Sequence, residues 1–142
     1  MTCIAVKDSV MAADSLISGV YNTPAVKIYR KPDYLIGFAG EVAQALVFVD
    51  WYQDRQCRIP DIAHEQDWCA LVLSRKSGIE FWDRSLRPVP ILERQAAIGS
   101  GAPFAMAAMD AGLSAAAAVK IACKRDASCR LPIVTARLKP TK

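Results

Sequence analysis

Histidine is nearly absent from this 142-residue chain, which has His64 alone. A Ser-His-Asp hydrolase would depend wholly on that residue, and it lies in "PDIAHEQDW", a polar stretch that reads as a loop. The five cysteines (Cys3, Cys57, Cys69, Cys123, Cys129) form no Cys-x-x-Cys pair, and with one histidine they make no zinc pattern. No metal and no cofactor is expected. Scattered thiols in odd number suit a reducing compartment. No apolar run reaches the roughly 18 residues needed to cross a bilayer. The start of the chain lacks a basic region followed by a long apolar core, so neither a membrane partner nor a secretion signal is expected, and the expected location is cytoplasmic. Strong charge is missing too. Eighteen basic residues against 14 acidic ones leave a net +4, with the excess late in the chain at Lys124, Arg125, Arg130, Arg137, Lys139 and Lys142. Without a basic stripe interleaved with aromatics, nucleic acid is not an expected partner. There is no internal repeat and no linker, which predicts one domain over 1–142.

Apolar residues, by contrast, are abundant at 53%, with a mean hydropathy of +0.17. The length suffices for a sizeable core, yet this is more apolar surface than one small domain readily buries, so burial between subunits is expected as well. In "EVAQALVFVDWYQDRQ", Val42, Leu46 and Val49 recur at helical spacing. Val47, Phe48, Trp51 and Tyr52 spread around more of that helix than a single core-facing stripe needs.

The remaining elements follow from pattern. "TCIAVK" and "VMAAD" read as a hairpin joined at Asp8-Ser9, and "AVKIYR" as a strand ended by Lys31-Pro32-Asp33. "YLIGFAG" is a nearly continuous apolar strand, and the helix after it is closed by Ile59-Pro60. "WCALVLSR" and "GIEFWD" form a hairpin over Lys76-Ser77-Gly78, followed by strands "VPILE" and "QAAIGSG". Two helices come next, "APFAMAAMDAG", ended by Gly112, and "SAAAAVKIACKRD", with Ser114 as N-cap. "LPIVTARL" is the last strand. Strands outnumber helices and the hairpins imply antiparallel pairing, so layer rules favour two sheets with helices on their outer faces, an α+β architecture.

The chemistry turns on Thr2. Blandly, it begins a strand. Once Met1 is removed, however, it becomes an N-terminal threonine, a nucleophile and a base on one residue, because an α-amine has a pKa of about 8 and can take the proton of its own hydroxyl. A lysine nearby would keep the amine neutral and stabilise the alkoxide, and a carboxylate would hold that lysine. Asp14, ending the second strand, offers the carboxylate. A three-residue turn would set it opposite Thr2 and a two-residue turn opposite Cys3, and the turn has no glycine to decide. Lys27 offers the ammonium, although a lysine flanked by Val26 and Ile28 ordinarily faces solvent.

Together, "TCIAVKDSVMAADS", "VKIYR", "LIGFAGEVAQA", "AIGSGAPFAMAAMDAG" and "AVKIACKRDA" resemble, in order, the proteasome β-type N-terminal-nucleophile hydrolases, in particular bacterial ring proteases of the HslV kind. The likeness is weakest over roughly 52–90. It implies a four-layer αββα sandwich. It also implies Thr2 as nucleophile, Asp14 and Lys27 as the pair that tunes it, and Gly40 as the oxyanion donor through its backbone N–H. Ser100 and Asp126 would complete the proton path, Ser18 would pair with the substrate backbone, and Phe38 and Val42 would line the first specificity pocket.

The implied activity is a threonine peptidase in a homo-oligomeric ring, single or stacked, acting on peptides or unfolded protein, with room for an ATP-driven unfoldase as partner. Two departures stand out. Cys129 occupies the place of a frequent serine three residues after the aspartate, and Arg130-Leu131 replaces a common glycine pair. Cys3 invites a rival in which a longer cut frees an N-terminal cysteine. A non-catalytic ring subunit and a small-amide amidohydrolase are the alternative functions.

Overall fold

The computed structural model describes residues 2–17, 23–24, 26–54 and 67–139. Ser18, Cys57, His64 and the expected Ile59-Pro60 helix stop lie outside them. The first hairpin pairs β1 (Ile4–Lys7) with β2 (Val10–Ala13). Its turn has two residues, Asp8 and Ser9, with φ of 51° and 67°. Both sit in the left-handed region that the twist of a two-residue hairpin demands, although neither is glycine. Ile4 therefore lies opposite Ala13, and Cys3 opposite Asp14.

Two short strands, β3 (Leu16–Ile17) and β4 (Thr23–Pro24), pair with each other and have no counterpart in the pattern reading. Then come β5 (Ile28–Arg30), β6 (Tyr34–Gly40) and helix α1 (Val42–Gln53). The expected strand "AVKIYR" is thus regular only from Ile28, with Lys27 just ahead of it. β7 (Trp68–Ser74), β8 (Gly78–Asp83), β9 (Val89–Ile91) and β10 (Gln95–Ile98) follow. Helices α2 (Ala102–Asp110) and α3 (Ala115–Arg125) and strand β11 (Val134–Arg137) complete the order. Ser114 caps α3 as expected, its hydroxyl accepting the Ala117 N–H at 3.2 Å.

One sheet runs β10-β1-β2-β11 and the other β5-β6-β7-β8-β9, all neighbours antiparallel. Side-chain alternation sorts each strand between two layers. In β1, Ile4 and Val6 pack between the sheets against Leu35, Leu71 and Ile79, while Ala5 turns outward under α2 and α3. In β6 and β7, Leu35, Leu71 and Leu73 face the other sheet, while Ile36, Phe38, Ala70 and Val72 face α1. The result is the expected αββα sandwich: α2 and α3, first sheet, second sheet, α1.

The aromatic breadth of α1 has an explanation inside the chain. Phe48 and Tyr52 are buried and Trp51 is partly buried, in a cluster with Trp68 and Trp82 whose ring centroids lie 4.8–6.0 Å apart. These rings need no second subunit to cover them.

Close approach of the sheets depends on Gly37, because a Cβ there would stand 2.6 Å from Ile4 Cγ2 and 2.8 Å from Met11 Sδ. Gly37→Ala is expected to destabilise the fold by about 1–3 kcal/mol through overpacking. Urea unfolding monitored by tryptophan fluorescence measures it.

Candidate active site

Three chain segments bring Thr2, Asp14 and Lys27 together. The hairpin register places the Asp14 N–H on the Cys3 carbonyl at 3.2 Å. In return the Asp14 carboxylate accepts the Cys3 N–H at 2.9 Å and, from the segment before β11, the Arg130 N–H at 3.1 Å. Lys27 crosses from the edge of the second sheet, where its carbonyl accepts the Phe38 N–H at 3.3 Å. Its Nζ reaches Asp14 Oδ1 at 2.9 Å and donates to the Thr2 hydroxyl. Lys27 is 3% exposed and Asp14 1%. The solvent-facing alternative for Lys27 is therefore not the one adopted.

Thr2 is held from its other side by Gly99-Ser100-Gly101. Gly99 has φ of +94°, and a Cβ on it would stand 2.0 Å from the Thr2 carbonyl oxygen. The Gly101 N–H donates to that oxygen at 3.3 Å. These glycines are positioning residues that the pattern reading passed over, although the "GSG" around Ser100 carried the signal. Ser100 presents a buried hydroxyl without a well-formed hydrogen bond among the described residues. It lies close enough to Asp126 to be the first cause holding that carboxyl below the usual range, the Ser128 N–H being the second. The Cys129 thiol contacts Asp126 Oδ2 at 3.6 Å, where the resemblance expects a serine hydroxyl. Ser100 and Asp126 thus adjoin each other, and Ser100 lines the same cleft as Thr2.

Cys3 is fully buried against α2 and α3. Burial, then the Asp14 carboxylate, pushes its thiol up to about 12, so it stays protonated and inert.

The sandwich opens at this end into a cleft of about 530 Å³. Thr2, Gly99 and Ser100 form one wall, and Ala39, Gly40, Trp68, Cys69 and Phe81 the other, with Asp67, Asp83 and Arg84 also lining it. Gly40 has φ of +96°, and a Cβ there would meet Asp67 O at 2.6 Å, so this backbone is open to glycine alone. Phe38 and Val42 are not part of the cleft. Phe38 is 2% exposed and packs with the α1 layer, stacked on Tyr29 at 5.9 Å, and Val42 packs against the same cluster. For Phe38 the reason is the pleat: it and Ala39 point to opposite faces of β6, and the cleft takes in Ala39. Ser18 lies outside the described residues.

The αββα sandwich has counterparts among solved structures. HslV from Trypanosoma brucei superposes with a TM-score of 0.76 at 21% identity, over 96% of this chain and 98% of that one. The chain has the HslV fold. BPH from Thiobacillus denitrificans matches at a TM-score of 0.69, with 20% identity in its complex with epoxomicin and 18% without it, over 99% of this chain and all of that one. No protein-family model matches the chain, and no curated protein does. Among the described residues no helix is long and apolar enough to cross a membrane, and no group of three or more His, Cys, Asp or Glu is placed to hold a metal ion.

Removing one partner of a buried ion pair leaves the other charge without compensation, which costs about 3–5 kcal/mol. Asp14→Ala is accordingly expected to destabilise the protein by that amount, because it strands the Lys27 ammonium and the Cys3 and Arg130 N–H groups together. Chemical denaturation of the variant beside the parent measures the loss.

Proposed function

We propose that the chain is a threonine-type peptidase of the proteasome β and HslV kind, hydrolysing peptide bonds with Thr2 after removal of Met1. The observation that carries this reading is the Lys27 ammonium, withdrawn from solvent and held on the Thr2 hydroxyl by Asp14. A buried lysine on the hydroxyl of residue 2 has little structural purpose and a clear chemical one.

In this mechanism the Thr2 α-amine, free once Met1 is lost, takes the Oγ1 proton directly or through a water. The positive field of Lys27 keeps the amine neutral and stabilises the alkoxide. Oγ1 attacks the carbonyl carbon of the substrate, and the Gly40 N–H, on the opposite wall of the cleft, donates to the oxyanion. Collapse of the tetrahedral intermediate breaks the C–N bond, with the proton delivered to the leaving amine, and leaves an ester on Thr2. Water, deprotonated by the same amine, then hydrolyses the ester. In this reading Ser100, backed by Asp126, relays protons to and from the amine, a role supported by its sharing the cleft with Thr2.

Solved BPH carries epoxomicin, and this compound supplies the test. Protein made in cells is expected to lack Met1 by intact mass and N-terminal sequencing, and to form a one-to-one epoxomicin adduct on Thr2. Thr2→Ala should fold but lose the adduct and several orders of magnitude of peptide hydrolysis; activity within about tenfold of the parent overturns the reading. Lys27→Ala and Lys27→Arg should both fail, since a planar guanidinium does not replace a compact ammonium in a tight site.

The same reading places the chain in a homo-oligomeric ring in the cytoplasm, its sites turned to an inner chamber that admits peptides and unfolded protein, with an ATP-driven unfoldase as the partner that would feed it. With the α1 aromatics covered internally, support for assembly comes from the apolar side chains left on the surface, among them Val26, Phe104, Leu131 and Val134. Light scattering coupled to gel filtration at micromolar concentration is expected to give a particle of many subunits, and a particle near the 15.5 kDa of one chain refutes the ring.

A further inference from the structure

The inner face of the second sheet is apolar along its length, from Leu35, Leu71, Leu73 and Ile79 to Ala39, until it reaches β8's last residue, Asp83. Asp83 is paired across the strands with Cys69, and Cys69 with Ala39, so the three form one row over β8, β7 and β6. Phe81, two residues before Asp83, shares its face, and both line the cleft that holds Thr2. A carboxylate thus stands at the end of an apolar inner face, in the cavity that Thr2 lines.

We infer that Asp83 is the specificity determinant of a side-chain subsite for a lysine or arginine next to the scissile bond. This rests on the peptidase reading of Thr2. Ala39, Cys69 and Phe81 supply an apolar channel for the methylene stem, and Asp83 receives the cationic head at its end. The carboxylate is oriented beforehand, because its Oδ1 accepts the Ser85 N–H at 2.8 Å. Arg84, the cation beside it in sequence, reaches the rim carboxylate of Asp67 at 3.4 Å. The Cys69 thiol adjoins the carboxylate and does not compete for it as a charge: burial first, and Asp83 second, push it up to about 11. At about 530 Å³ the cleft has the size of a ligand pocket and admits a long side chain while the backbone lies across Thr2 and Gly40.

The test is cleavage-site mapping by mass spectrometry on a peptide library that varies both residues flanking the scissile bond, using protein shown to lack Met1. Lysine and arginine are expected to exceed glutamate by tenfold or more in kcat/KM at one flanking position. Asp83→Asn should lower the lysine-to-leucine ratio of kcat/KM at least fivefold, and Asp83→Lys should turn the preference toward glutamate. A parental circular dichroism spectrum and urea midpoint certify that each variant is folded. Peptide cleavage without cationic preference, or a preference that survives Asp83→Asn, overturns the subsite and leaves the peptidase intact. Absence of both cleavage and epoxomicin adduct overturns the peptidase reading and the subsite with it.

Discussion

Two opposite charges out of water, Lys27 and Asp14, hold this end of the molecule together. Burying each ion costs several kcal/mol, and their attraction repays it only where the other polar groups are matched as well. That requirement fixes four segments relative to one another. The Cys3 N–H at the head of β1, the carboxylate after β2, the lysine ahead of β5 and the Arg130 N–H before β11 must all arrive at one point. Well-packed apolar residues would hold such a junction equally well, so stability alone does not explain an ion pair here. The Thr2 hydroxyl on the lysine does.

The cleft beside that junction follows from side-chain size. Midway along the sandwich, Ile4, Val6, Leu35, Leu71 and Ile79 fill the space between the sheets, and Gly37 lets them close on each other. Toward Thr2 the facing residues shrink to Ala39 and Gly40 on one side and Gly99 and Ser100 on the other, with Trp68 and Phe81 left at the wall. The sheets cannot draw together there, because the strands are pinned by their ladders and by the ion pair. Space is left over. The core of the fold and the opening of the site are thus one packing pattern read from the middle to the end.

Much of this was legible in the chain. Alternation and helical spacing located the long strands, the three helices and their layers, and the alanines of "SAAAAVKIACKRD" do lie on α2 and the first sheet. What escaped depended on geometry that residue type underdetermines. Asp8 and Ser9 adopt φ above zero without glycine, so the register of Asp14 was open until the turn was seen. The inward course of Lys27 is decided by an acid 13 residues away in sequence, not by its apolar neighbours. The breadth of α1 was credited to a second subunit, whereas Trp68 and Trp82 from the sheet absorb it. Phe38 was expected in the pocket and lies on the opposite face from Ala39, a difference of one residue in a pleat of two.

That same pleat separates Thr2 from Cys3 at the start of the chain. Thr2 and Cys3 are adjacent in an extended segment, so their side chains leave it in opposite directions. One can face the cleft and the other must enter the layer of α2 and α3, where Cys3 is found at zero exposure. Gly101 tightens this choice, since a Cβ on it would stand 2.8 Å from Cys3 Cβ and 3.1 Å from Cys129 Sγ. The thiol has neither water nor room, and the nearby Asp14 carboxylate adds to burial in opposing its ionisation. A cut that removed Thr2 as well would therefore leave a cysteine whose sulfur points into the core, away from Gly40 and the cleft. The intrinsically better nucleophile is the one the fold buries, and the hydroxyl beside the cleft is the one on which the buried lysine sits.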